Sequence, residues 1–181
     1  MDSPKRHSVN FVTVLGLLAA AVSSFLYLKK EKKITIDRTI ETSMEPRALW
    51  QRLNQAFENS ARSDIWPNEL ELIESDGIDE ANILYITYKS PFSENMFSYT
   101  ITEYDRANLS FAFVTNEDHP LEGEGRVSVT AIPEGTRLTW YGTYSFRGIS
   151  LTAIYLKFYF EKRFFEALEN NIRDLEAIET D

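Results

Sequence analysis

Apolar and polar positions change rhythm several times along this chain, and each change predicts an element. Val9–Leu28 reads VNFVTVLGLLAAAVSSFLYL, 20 residues without a charge. A helix of that length spans about 30 Å, the thickness of a bilayer core. The run predicts one transmembrane helix, anchored through Phe11, Leu15, Leu18, Phe25 and Leu28. Two other readings stand beside it: a buried core helix, and a signal peptide cut near Ala19-Ala20-Ala21. Against the second, Phe25-Leu26-Tyr27-Leu28 continues the apolar run past the small residues.

From Ile34 the rhythm becomes alternation, with Ile34, Ile36 and Ile40 set among Thr35, Asp37 and Thr39. This predicts a strand over Lys33–Glu41. Ser43 then fits an N-cap and Pro46 a first turn. Leu49, Trp50, Leu53 and Phe57 recur at helical spacing up to Asn59-Ser60. A second short helical turn is predicted over Ser60–Ile65, ended by Trp66-Pro67. Six strand-like segments follow: Leu70–Ser75, Ile83–Lys89, Met96–Tyr104, Leu109–Thr115, Gly125–Ile132 and Thr136–Phe146. Turn residues separate them at hairpin spacing, which predicts an antiparallel meander.

No Gly or Pro interrupts the chain after Gly148. Leu151, Ile154, Phe158, Phe165, Leu168, Ile172 and Leu175 recur at helical steps. They predict one helix over 149–180 with a single broad apolar stripe, roughly 45 Å long. Its amino half is apolar nearly all round, and its carboxyl half is amphipathic.

Charge is divided unevenly. The chain has 28 acidic and 19 basic residues, net −9. Residues 1–33 carry six basic residues and two acidic ones, so the rest is strongly acidic. Such a body repels a phosphate backbone, and nucleic acid is excluded as a partner. Two Lys/Arg precede the apolar run and four follow it, which orients the carboxyl side toward the cytoplasm. The opposite orientation, with the domain on the outer side, is the alternative. There is no cysteine, so thiolate metal sites and disulfides are excluded. Two histidines, His7 and His119, cannot make a multi-histidine centre.

Several phrases carry a resemblance. Ile34–Glu41 leads into Met44-Glu45-Pro46-Arg47-Ala48-Leu49-Trp50, and Trp66-Pro67 follows. Gly123-Glu124-Gly125-Arg126-Val127 runs through to Gly135-Thr136-Arg137-Leu138-Thr139-Trp140. The chain closes on Leu168–Leu175. In this order they resemble the SRPBCC superfamily, the START-related, polyketide-cyclase-like helix-grip proteins. The resemblance spans about 34–178. It implies an α+β helix-grip fold: a curved antiparallel sheet of about seven strands wrapped on a long C-terminal helix, preceded here by the transmembrane helix. Two units are expected, 1–33 as tail, anchor and basic flank, and 34–181 as the START-like domain. The resemblance also implies a cavity between sheet and helix that takes apolar ligands.

Alternation groups Phe97, Tyr99 and Ile101 on one face, with Phe111 and Phe113, Val127 and Val129, and Leu138, Trp140, Gly142, Tyr144 and Phe146 on theirs. If these face the helix, the interior is aromatic, and Tyr99, Trp140 and Tyr144 bring polar tips to an apolar wall. The ligand-binding candidates are therefore Tyr99, Phe113, Trp140 and Tyr144 from the sheet, and Tyr155, Phe158 and Tyr159 from the helix. Plain core packing is the competing reading for each ring.

Catalysis finds little footing. His119 lies in Glu117-Asp118-His119-Pro120, which reads as an exposed turn. The acidic pairs read as solvated surface. Gly123-Glu124-Gly125 is too short for a phosphate loop and reads as bulge or turn positions. No catalytic residue, metal or cofactor is nominated. The reading is a membrane-tethered binding domain for a lipid or other hydrophobic small molecule. Its rivals are a protein-interaction module at the membrane and a cyclase-like enzyme.

Overall fold

A computed structural model describes residues 30–58, 64–67, 70–72, 82–89, 94–148 and 150–180. The anchor residues Phe11, Leu15, Leu18, Phe25 and Leu28 lie outside these. Among the described residues no helix is long and apolar enough to cross a membrane.

Seven strands form one antiparallel sheet. They are β1 (Glu31–Thr42), β2 (Leu70–Leu72), β3 (Ile83–Lys89), β4 (Glu94–Asp105), β5 (Ser110–Thr115), β6 (Glu122–Ile132) and β7 (Gly135–Arg147). The order across the sheet is β1-β7-β6-β5-β4-β3-β2. Thus β2 to β7 form the meander expected from the turn signals, and β1 closes beside β7. The β1–β7 ladder runs from Glu31↔Arg147 to Thr42↔Thr136.

Helix α1 (Pro46–Glu58) follows β1. It starts at Pro46, so Ser43 is not its cap. Ser43 instead uses its hydroxyl and its N–H on the Glu176 carboxylate near the far end of the chain. Residues 64–67 are not helical, which corrects that part of the short turn expected over Ser60–Ile65. They hold α1 and the last helix together. Trp66 Nε1 donates to the Leu53 carbonyl at 3.0 Å, and Asn171 Nδ2 donates to the Ile65 carbonyl at 3.1 Å.

The closing helix is not one continuous α-helix. It comprises α2 (Leu151–Tyr159), a π-helical turn (Phe160–Phe164) and α3 (Phe165–Thr180). Ser150 caps α2, its hydroxyl accepting from Ala153 N at 3.1 Å. In a π turn each N–H reaches back five residues instead of four, which leaves a carbonyl available. The Glu161 carbonyl accepts from the Arg38 guanidinium at 3.3 Å.

The extra residue also changes which side faces in. In α3 the buried residues include Phe165, Leu168, Ile172 and Leu175, as the periodicity indicated. In α2 they are Ala153, Leu156 and Tyr159, while Leu151, Ile154 and Phe158 point outward. An element apolar on all sides carries no periodic signal to select its buried face, and the π turn breaks the phase that a single stripe assumes.

Candidate ligand site between the sheet and the closing helix

Inward positions of β4 to β7 place aromatic rings in a row facing the helix. Tyr99 meets Phe113 edge-on at 5.7 Å, and Phe113 meets Trp140 at 5.6 Å. Trp140 meets Phe164 at 5.3 Å and Phe165 at 5.8 Å. Phe164 lies 6.1 Å from Tyr159, which stacks on Tyr155 at 6.2 Å. Six of the seven ring candidates thus lie along this wall; Tyr144 joins it through Phe113 and the glycines described below. Phe158 does not: it stands on the outer face of α2, 49% exposed, with the Lys162 ammonium 5.1 Å above its ring. The outward turn of α2 is the reason.

Glycines make the room. Gly123 and Gly125 lie within β6, paired without a register shift, so they are not the bulge or turn positions expected, and Gly142 lies within β7 as its alternation indicated. A Cβ on Gly125 would come within 2.5 Å of Phe113 Cζ and 2.9 Å of the Tyr144 hydroxyl. On Gly142 it would come within 2.7 Å of the Tyr144 ring. The tyrosine therefore lies flat across two adjacent strands where side chains are absent. Burial pushes its hydroxyl up to about 12. The Trp140 indole N–H approaches that hydroxyl and offsets part of the rise, without the geometry of a full hydrogen bond.

His119 is the residue that the sequence placed wrongly. It is buried, 5% exposed, between Phe97 and Tyr99 at ring distances of 5.0 and 4.9 Å. Its Nε2 lies 2.7 Å from the Tyr99 hydroxyl. Its Nδ1 lies 2.8 Å from the Leu121 carbonyl and 3.0 Å from the Leu121 N–H. A neutral ring satisfies both sides in either tautomer, since each nitrogen has a partner able to donate or accept. Burial lowers its pKa to about 4, against the smaller opposing pull of the Leu121 carbonyl and Asp118. The turn around it is anchored by its polar residues. Asp118 accepts from Ser98 N at 2.9 Å and Ser98 Oγ at 2.7 Å, and Asn116 Oδ1 accepts from Thr100 at 2.8 Å. These side chains spend their hydrogen bonds on β4 instead of on water.

A groove of about 340 Å³ opens between β1 and the π turn. Thr35, Ile36, Asp37 and Arg38 line one side, and Phe160, Glu161, Lys162 and Phe165 the other. Its volume lies at the small end of ligand pockets, which run from about 300 to 1,000 Å³. Phe160 and Phe165 separate it from the aromatic row, since Phe165 touches Trp140 and Phe160 touches Tyr159 at 5.6 Å. Neither the groove nor the role of His119 was signalled by the sequence. A π turn and a buried turn histidine both depend on tertiary contacts. Among the described residues no cluster of three His, Asp or Glu side chains is placed to hold a metal ion.

Comparison with known proteins agrees with this architecture. A family model described as "Polyketide cyclase / dehydrase and lipid transport" matches residues 33–176. The crystal structure of Ara h 8.0201 superposes with a TM-score of 0.54 at 12% identity, covering 80% of this chain and 99% of that one. Protein CV1439 from Chromobacterium violaceum gives 0.54 at 11% identity, over 75% of this chain and 95% of that one. Protein Ms6760 from Mycobacterium smegmatis gives 0.50 at 17% identity, over 82% and 90%. At these identities the likeness establishes the helix-grip fold alone. No curated protein matches the chain.

Proposed function

We propose, from the premise that this chain belongs to the polyketide cyclase / dehydrase and lipid transport family, that it is a membrane-tethered carrier or sensor of a hydrophobic small molecule, most simply a lipid. The family's description names lipid transport beside polyketide cyclase and dehydrase. The observation that carries the reading is the groove at the π turn, walled by two phenylalanines whose other contacts are the aromatic row. Phe160 and Phe165 offer an apolar chain a ring surface, and Thr35, Asp37, Arg38, Glu161 and Lys162 in the same groove offer partners for a polar end group.

The tether rests on the apolar run 9–28 and its basic flank, with the domain 34–181 facing the cytoplasm. Holding the domain at a bilayer keeps its concentration high at the source of ligand. The hydroxyls of Tyr99 and Ser98 that meet His119 and Asp118 fasten the 116–121 turn onto β4, and His119 is held on its other side by Leu121, which supports binding over catalysis.

Native mass spectrometry of the full-length chain released from detergent, with extraction and identification of what travels with it, tests the reading. A stoichiometric apolar ligand is the expected result. A bare mass that stays unchanged after incubation with total membrane lipid defeats it and favours a protein-interaction role.

A further inference from the structure

We propose that the outward face of α2 docks on the surface of a lipid bilayer beside the point where the chain leaves it. The inference rests on the tethered reading above and adds an orientation and a second contact. Leu151, Ile154 and Phe158 are 80%, 43% and 49% exposed. Steps of three and four residues put them on one side of the helix. Three large apolar side chains aligned in water on one short helix form the kind of patch that marks an interaction surface. The opposite side, Ala153, Leu156 and Tyr159, is already committed to the core.

The path of the chain identifies the occupant. The apolar run ends at Leu28, three residues before Glu31. Glu31 opens β1 opposite Arg147, the last residue of β7. Lys32 Nζ donates to the Gly148 carbonyl at 3.5 Å, and Ser150 caps α2 two residues later. Three residues span at most about 11 Å. A bilayer that holds residues 9–28 therefore has its surface at the amino end of α2, where Leu151 is the most exposed of the three.

Charge agrees with that placement. The body is acidic, yet Lys30, Lys33 and Arg147 gather at this corner around Glu31, and Lys162 of the π turn lies over the Phe158 ring, while Lys157 pairs with Glu161 at 3.8 Å. Apolar side chains flanked by ammonium and guanidinium groups match an interface with anionic headgroups over acyl chains.

The chain lacks cysteine, so Leu151→Cys, Ile154→Cys and Phe158→Cys each give a unique labelling position, with Glu134→Cys at the opposite end of β7 as reference. All four side chains are exposed, so the core is left intact. Each full-length variant, carrying an environment-sensitive fluorophore, is reconstituted into vesicles of phosphatidylcholine and phosphatidylglycerol. The expected result is a blue shift, quenching by brominated lipid and loss of iodide quenching at the three helix positions, with Glu134→Cys still quenched by iodide. Equal iodide quenching at all four positions overturns the proposal. Shielding of the helix positions from both quenchers also overturns it, because protein then covers the face. An alkaline carbonate wash separates the two readings. If the chain washes off, residues 9–28 are not an anchor, while lipid quenching seen before the wash still supports the docked face.

Discussion

At the scale of the residue, the imidazole of His119 couples stability to pH. Its pKa is about 4 in the folded chain and 6.5 when free of the fold. The unfolded chain therefore takes up the proton first. The stabilisation is complete above pH 6.5 and is lost as pH falls from 6.5 to about 4, by an upper limit of about 3 kcal/mol. Urea midpoints at pH 7.5 and 4.5 should differ accordingly. His119→Gln should be less stable at neutral pH and flatter across that window; an unaltered slope would show that the ring does not carry the effect. The glycines beneath Tyr144 make a second prediction. Gly125→Ala sets a methyl against Phe113 and Tyr144 and should cost about 1–3 kcal/mol as overpacking, read from its melting temperature. Neither feature is legible in the residue string. Asn116–Pro120 has the composition of a solvated turn, and only the partners Ser98, Thr100 and Tyr99, brought alongside by strand pairing, reveal that it is packed down.

At the scale of the element, caps were harder to read than strands. Ser150 was legible neither as a cap nor as a boundary, because the apolar run that follows has no polar face to mark its start. Ser150→Ala should lower stability by about 1 kcal/mol with the fold retained, measured by chemical denaturation; a neutral effect would mean that the first turn of α2 frays without its cap. The strands were legible because one face of each is buried, so their alternation survives translation into structure. The seven observed strands lie within a few residues of their expected limits, and helix α1 follows its four-residue spacing. The closing helix was half legible. Amphipathic α3 buries the expected side, whereas α2, apolar all round, was assigned the wrong one.

At the scale of the whole molecule, β1 and β2 are the outermost strands of the sheet among the described residues. The outer edge of β1 is twelve residues long and could template pairing with another chain. Charged side chains blunt it, among them Lys33, Asp37 and Arg38, and Arg38 is further held against the π turn. Replacing Lys33 and Arg38 together with Val should increase self-association, visible by sedimentation velocity. A strictly monomeric double variant would assign protection of the edge to the helix alone. The order of elements that places β1 beside β7 could be read only through family resemblance, since nothing local tells a first strand to pair with the last.

That pairing has a mechanical consequence. The chain ahead of Lys30 enters along β1, which runs antiparallel to β7 over its full length. A pull directed along β1 loads every rung of the ladder at once, and the strand resists as a bolt in shear. A pull directed across the sheet opens the rungs one after another from Glu31, as a zipper. The same junction is thus strong in one direction and weak in the other, and the angle at which the domain hangs decides which of the two it is.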